Sequence, residues 1–133
     1  MVDLVFFYGT LMTAFNRDAR LRVDQHLVYE GRGSISAALF DLVIYPAAVP
    51  SPDGRVRGEV FQMGHPSIVL QALDEFEGCR ADEPESSLYT RHVTRVALED
   101  GRLVDAWAYF YNAPLGQAER IPSGDYLEHL RLR

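Results

Sequence analysis

Apolar positions fall into short blocks separated by glycine, proline and charge. Leu4 to Tyr8 is a continuous apolar and aromatic run stopped by Gly9, the pattern of a buried first strand. Residues 12–26 are polar and arginine-rich, with Asn16-Arg17-Asp18 as the start of a short helix. Ser34 to Ile44 reads as a long bent strand, and Gly31 and Gly33 mark a bulge or turn. In Tyr45-Pro46-Ala47-Ala48-Val49-Pro50 two prolines lack backbone donors, so the segment is not expected to form a central strand. Ser51-Pro52-Asp53-Gly54 reads as a tight turn, after which Val56 to Met63 resumes as a strand.

Pro66 to Glu77 carries the clearest helical period. Pro66 suits a first helical position, and Val69, Leu73 and Phe76 recur on one face that is expected to meet the core. Gly78 stands where a left-handed cap ends a helix. Residues 80–87 form a polar loop. Leu88 to Leu98 and Leu103 to Tyr111 are rich in β-branched and aromatic residues, and the Asp100-Gly101 pair between them signals a hairpin. Asp125 to Leu130 reads as a short terminal helix. Several strands with one substantial helix predict an α+β fold with a small curled sheet or barrel. The 133 residues contain no repeat, low-complexity tract or linker, so residues 1–133 are read as a single domain.

Charge narrows the function. Against 13 basic residues stand 19 acidic ones, a net charge of −6. That balance argues against nucleic acid, which needs a basic footprint, and against anionic membrane surfaces. Every basic residue is arginine, which removes Schiff-base catalysis, a P-loop lysine and a pyridoxal-phosphate anchor. The lone cysteine, Cys79, permits neither an intrachain disulfide nor a thiolate zinc cluster. No apolar run approaches the length of a spanning helix, and the acidic start lacks the features of a signal peptide. A cytoplasmic protein is the expectation.

Conventional catalytic signatures are missing. His26, His65, His92 and His129 fall at no metal-ligand spacing, and no serine lies in a nucleophile elbow, so no metal site is expected. Gly31-Arg32-Gly33 is only a fragment of a phosphate-binding pattern, and Cys79 has no identifiable activating partner. Two stretches carry more. In Tyr8-Gly9-Thr10-Leu11 a glycine directly after a buried strand lets successive N–H groups turn inward, as in an anion-binding concavity, although a plain turn has the same pattern. In Leu73-Asp74-Glu75-Phe76-Glu77-Gly78 the carboxylate of Glu77 lies at the helix C-terminus, where the macrodipole does not favour it. It is either held there for chemistry or part of an exposed acidic helix end with Asp74 and Glu75.

Taken in order, these segments resemble the γ-glutamylcyclotransferase-like family, which includes γ-glutamylamine cyclotransferases and the plant AIG2-like proteins. Val5-Phe6-Phe7-Tyr8-Gly9-Thr10-Leu11 is similar to the family's substrate loop, and Tyr45-Pro46-Ala47-Ala48 to its proline-containing segment. Val56-Arg57-Gly58-Glu59-Val60-Phe61 resembles the following strand, and Leu73 to Gly78 the helix end that bears the catalytic glutamate. Tyr89-Thr90-Arg91, Ala106-Trp107-Ala108-Tyr109 and Ile121 to Tyr126 resemble later segments.

The resemblance implies a small mixed β-barrel-like sheet with one main helix and short peripheral helices. It implies a cyclising enzyme acting on a small-molecule γ-glutamyl substrate, in which the α-amine attacks the γ-carbonyl to give 5-oxoproline and a released amine. Glu77 would be the general acid/base, the backbone N–H groups of Gly9, Thr10 and Leu11 would hold the substrate α-carboxylate, and Tyr8 would line the pocket. Neither metal nor organic cofactor is required. The alternative is a non-catalytic carboxylate-binding protein of the same fold. Oligomeric state has no signature in the sequence.

Overall fold

The computed structural model describes residues 2–80 and 82–132. Its strands are β1 (Leu4–Phe7), β2 (Leu27–Asp41), β3 (Pro46–Met63), β4 (Tyr89–Leu98), β5 (Leu103–Tyr111) and β6 (Glu119–Arg120). The helices are α1 (Asp18–Leu21), α2 (Pro66–Glu77) and α3 (Tyr126–Arg131). Strands pair in the order β3-β1-β5-β4-β2-β6, and β2 pairs with β3 as well, so the first five close into a barrel. All neighbours are antiparallel except β1 and β5, which run parallel with Val5 opposite Trp107. The sheet is therefore mixed, and the α+β barrel expectation holds.

The β2–β3 ribbon bends at two places. Tyr29 faces Phe61 and Gly31 faces Val60, which leaves Glu30 as the extra residue of a bulge. Further along, Ser36 faces Arg55 while Ala37 faces Pro50, so residues 51–54 have no partner on β2. The proline-containing segment is thus a strand but not a central one, as expected; the correction concerns Ser51 to Gly54, an insertion within β3 rather than a turn that reverses the chain. Prolines fit because β1 flanks β3 only at residues 59–62. Over Pro46 to Pro50 the ladder to β2 is the only one among the described strands, so β3 is an edge there and missing donors are tolerated.

One cluster of buried side chains fills the interior, with Val5, Phe6, Ile35, Leu39, Val56, Val60, Val69, Leu73 and Val96 all at its centre. Helix α2 contributes Val69, Leu70 and Leu73 to it. Phe76 does not follow them. It is 40% exposed, because the last turn of α2 runs past the packed core and its ring lines a cavity instead. Gly78 ends the helix in the left-handed conformation (φ 67°, ψ 36°), and the Cys79 N–H donates to the Asp74 carbonyl at 2.8 Å. Glu77 is thereby the final helical residue. The Gly78 carbonyl accepts from the Leu88 N–H at 3.0 Å, which ties the helix end to the start of β4.

Gly58 decides how closely β3 approaches β1. A Cβ there would overlap the Phe7 carbonyl oxygen and stand 2.8 Å from Phe6 Cζ. Both neighbours are fixed by the core. Gly58→Ala is therefore expected to destabilise the fold by about 1–3 kcal/mol, the usual cost of overpacking. Equilibrium urea unfolding checks this, and a change below about 0.5 kcal/mol would mean that β1 can shift freely.

Candidate functional site

Where β1 ends, the chain turns under the last turn of α2 and the start of β4, enclosing a cavity of about 120 Å³. Its lining includes Tyr8, Gly9, Thr10 and Leu11 from the turn, Tyr45 and Pro46 from the segment opposite, Phe76 and Glu77 from α2, and Tyr89 and Tyr109 from the sheet. The structure thus brings all five sequence-predicted site residues to one cavity. Glu77 is the only carboxylate among the described residues that line it.

Four phenols line the cavity with that carboxylate, and three of them, Tyr8, Tyr89 and Tyr109, are committed elsewhere. The Tyr8 hydroxyl donates to the Tyr109 carbonyl at 2.7 Å and accepts from the Ala48 N–H at 3.3 Å. The Tyr89 hydroxyl donates to the Pro46 carbonyl at 2.8 Å, and that of Tyr109 donates to Asp74 Oδ1 at 2.6 Å. Burial raises the pKa of all three phenols well above the ordinary 10, and the nearby Glu77 charge adds to the effect. They stay neutral and rigid. Glu77 has no hydrogen-bond or ion-pair partner among the described residues, and burial pushes its pKa up from the ordinary 4.5 to about 7. A carboxyl group with that value exchanges protons near neutral pH.

The turn itself offers donors. No protein acceptor among the described residues takes the N–H groups of Gly9, Thr10 or Leu11; the bond closing the turn runs from the Met12 N–H to the Gly9 carbonyl at 3.0 Å. Two buried charged side chains brace the turn from behind. Arg20 is 7% exposed and donates to the Leu11 carbonyl at 3.0 Å and to Thr13 Oγ1 at 3.3 Å. Its guanidinium lies over the Phe61 ring, 4.1 Å from the centroid, and pairs with Asp24 at 2.6 Å. Glu59 accepts from the Thr13 N–H at 2.8 Å and from Thr13 Oγ1 at 3.1 Å.

Asp74 differs from the exposed acidic residue expected of it. Arg91 donates to it twice, at 2.8 and 3.1 Å, the Tyr109 hydroxyl completes the set, and Arg91 stacks 4.5 Å from the Trp107 ring centroid. This network holds the Tyr109 ring against the cavity and neutralises the carboxylate one turn before Glu77. Sequence reasoning missed Asp74, Arg91, Arg20 and Glu59 as site supports. None carried a distinct signal: Glu59 shares the segment Val56 to Met63 with the exposed Arg57, and only packing decides which of the two charges is buried. Cys79 adjoins the site, but burial and the Asp74 carboxylate push its thiol pKa up, away from thiolate chemistry. Among the described residues no group of three or more His, Cys, Asp or Glu is placed to hold a metal. No helix among them is long and apolar enough to cross a membrane.

Known proteins with this architecture agree in kind. Residues 5–128 match the family model described as "Gamma-glutamyl cyclotransferase, AIG2-like". The "Putative gamma-glutamylcyclotransferase MJ1514" of Methanocaldococcus jannaschii is 25% identical over 129 residues, covering 96% of this chain and 98% of that one. The solution structure of the protein ytfP from Escherichia coli superposes with a TM-score of 0.67 at 28% identity, over 95% of this chain and 97% of that one. YkqA from Bacillus subtilis superposes with a TM-score of 0.72 at 24% identity; 99% of this chain is covered but only 42% of YkqA. The chain belongs to the γ-glutamyl cyclotransferase, AIG2-like family.

Proposed function

We propose that the protein is a γ-glutamyl cyclotransferase in which Glu77 moves the protons. The observation that carries this reading is the state of Glu77. It is one carboxylate in a phenol-lined cavity, without a partner among the described residues, with a pKa of about 7, facing a turn whose three N–H groups find no acceptor among those residues.

The N–H groups of Gly9, Thr10 and Leu11 hold the substrate α-carboxylate, which also explains how a chain of net charge −6 takes an acidic ligand. Glu77 removes a proton from the α-ammonium group and frees its lone pair. The nitrogen attacks the γ-carbonyl carbon, closing a five-membered ring through a tetrahedral intermediate. The proton held by Glu77 passes to the departing nitrogen and the C–N bond breaks; Glu77 takes the second proton from the ring nitrogen and returns it to the freed amine, so that 5-oxoproline and an ammonium product leave. Nucleophile and electrophile belong to one molecule, so the protein need only fold the substrate and move the proton. Tyr8 walls the cavity without taking part in proton transfer, because its hydroxyl is spent on the Tyr109 carbonyl. A purely binding role would leave an unpartnered carboxylate in the cavity with no function.

Glu77→Gln is nearly isosteric and removes only the ability to accept a proton. Release of 5-oxoproline from a γ-glutamyl conjugate should fall roughly 100- to 10,000-fold, while binding of a substrate analogue, measured by calorimetry, persists. Glu75→Gln is the control, being exposed and about 200° around the helix. Normal turnover in the Glu77 variant on a verified substrate would remove Glu77 from the mechanism.

The raised pKa has two further consequences. With Glu77 as base, kcat/KM should rise with pH through an inflection near 7, and this inflection should vanish in Glu77→Gln. Between pH 4.5 and 7 the folded protein keeps a proton that the unfolded chain releases, so the stability due to this group is complete below about 4.5 and lost as pH rises through 7. Glu77→Gln escapes that loss. Relative to the parent it should gain about 1–3 kcal/mol by pH 8, with little gain at pH 4, in unfolding titrations at both values.

A further inference from the structure

A second cleft, of about 530 Å³ and open to solvent, shares no lining residue with the cavity of Glu77. Its charged members are Arg20, Asp24 and Glu59, and the rings of Tyr29 and Phe61 form its walls. A volume of this order suits a small molecule. The three charges do not cancel. Arg20 pairs with Asp24 at 2.6 Å, which leaves Glu59. Glu59 is 8% exposed and makes no ion pair with any described residue. Both bonds from Thr13 fall on its Oε1, so Oε2 accepts from no described residue. Arg32 stands opposite Glu59 in the β2–β3 ladder, but its guanidinium goes to Asp125 at 3.9 Å and does not line the cleft. Asp24 Oδ2 is likewise without a partner among the described residues. A carboxylate buried this deeply ordinarily has a counter-charge.

The aromatic wall points the same way. Tyr29 is 54% exposed, meets the Phe61 ring edge-on at 5.5 Å between centroids, and directly precedes the Glu30 bulge, a device that re-aims neighbouring side chains. Arg20 stacks on Phe61 at 4.1 Å, whereas Tyr29 has no cation over it among the described residues. We propose that this cleft is a second ligand site, for a small primary amine in its ammonium form. The ammonium group donates to Glu59 Oε2, with Asp24 Oδ2 as a further acceptor in the same cleft, and supplies the missing counter-charge. The carbon skeleton lies against Tyr29, whose π-face attracts a cation. An anion meets one excess negative charge instead. Binding here requires nothing of the reaction at Glu77, so either reading can fail without the other.

The probe is phenethylammonium, with phenylpropionate as its near-isosteric anion, titrated into the isotope-labelled full chain and followed by calorimetry and amide NMR. Phenethylammonium should bind saturably and shift the amides of Thr13, Asp24, Tyr29 and Glu59. It should bind at least about 10-fold more tightly than phenylpropionate. Glu59→Gln keeps an oxygen for Thr13 but removes the charge, and should weaken binding about 10-fold or more. Tyr29→Ala, on the exposed wall, should weaken it about 3- to 10-fold. Glu77→Gln, at a separate site, should change it less than about 2-fold. Loss of binding in Glu77→Gln would put the amine in the other cavity, and tighter binding of phenylpropionate would make Arg20 the anchor of an anion. Either result overturns the proposal, as does the absence of saturable binding. Should Glu59→Gln fail to fold, judged by circular dichroism, Tyr29→Ala and the amide shifts decide: undiminished binding, or shifts confined to residues outside the cleft, overturns it.

Discussion

Strand β1 is four residues long and carries a ladder on each side, to β3 and to β5. Without it the barrel has a gap between those strands. Val5, Phe6 and Phe7 are all buried, so the strand is wedged by its side chains as well as by its hydrogen bonds. It is also the strand that delivers the turn at Gly9 to Leu11. The position of those amides therefore depends on barrel closure itself, and closeness of approach at Gly58 is part of the same constraint.

Buried charge is distributed unequally. Arg20, Glu59, Asp74 and Arg91 are all wholly or partly withdrawn from water, and every one is matched by hydrogen bonds or an ion pair. That is the ordinary requirement for burying polar groups. Glu77 departs from it. Its isolation in a desolvated pocket disfavours the charged carboxylate, and the same isolation brings its proton exchange to neutral pH. Asp74, neutralised by Arg91, also takes up the Tyr109 hydroxyl, which would otherwise be free to donate into the cavity.

Rigidity at the floor and exposure at the rim are separable. Tyr8, Tyr89 and Tyr109 each anchor to the backbone or to Asp74, so the floor is preorganised. The rim residues Ile44, Phe76 and Leu88 are exposed to solvent, Ile44 directly after the strained Val43 (φ 78°), and nothing in the core dictates their identity. Relatives that share the barrel can differ at the rim without disturbing the carboxylate or the amides.

Local chemistry in the sequence was sufficient for several elements. Pro66, the apolar period and Gly78 marked α2 from end to end, and Asp100-Gly101 marked the β4–β5 hairpin, because caps and turns depend on neighbouring residues alone. The order of motifs likewise points to Glu77 and to Gly9, Thr10 and Leu11, which are far apart in the sequence and line one cavity in the fold. Other features were settled only by packing. Pro46 and Pro50 belong to a strand because β1 stops short of them, a fact about a neighbour 40 residues away. Phe76 satisfies the helical period yet lines a cavity, since periodicity gives a direction but not where the core ends. The partners of Asp74, Arg20 and Glu59 come from distant strands and loops. Burial, and with it the pKa of Glu77, is a property of everything that surrounds a side chain, so it exists only once the chain has closed.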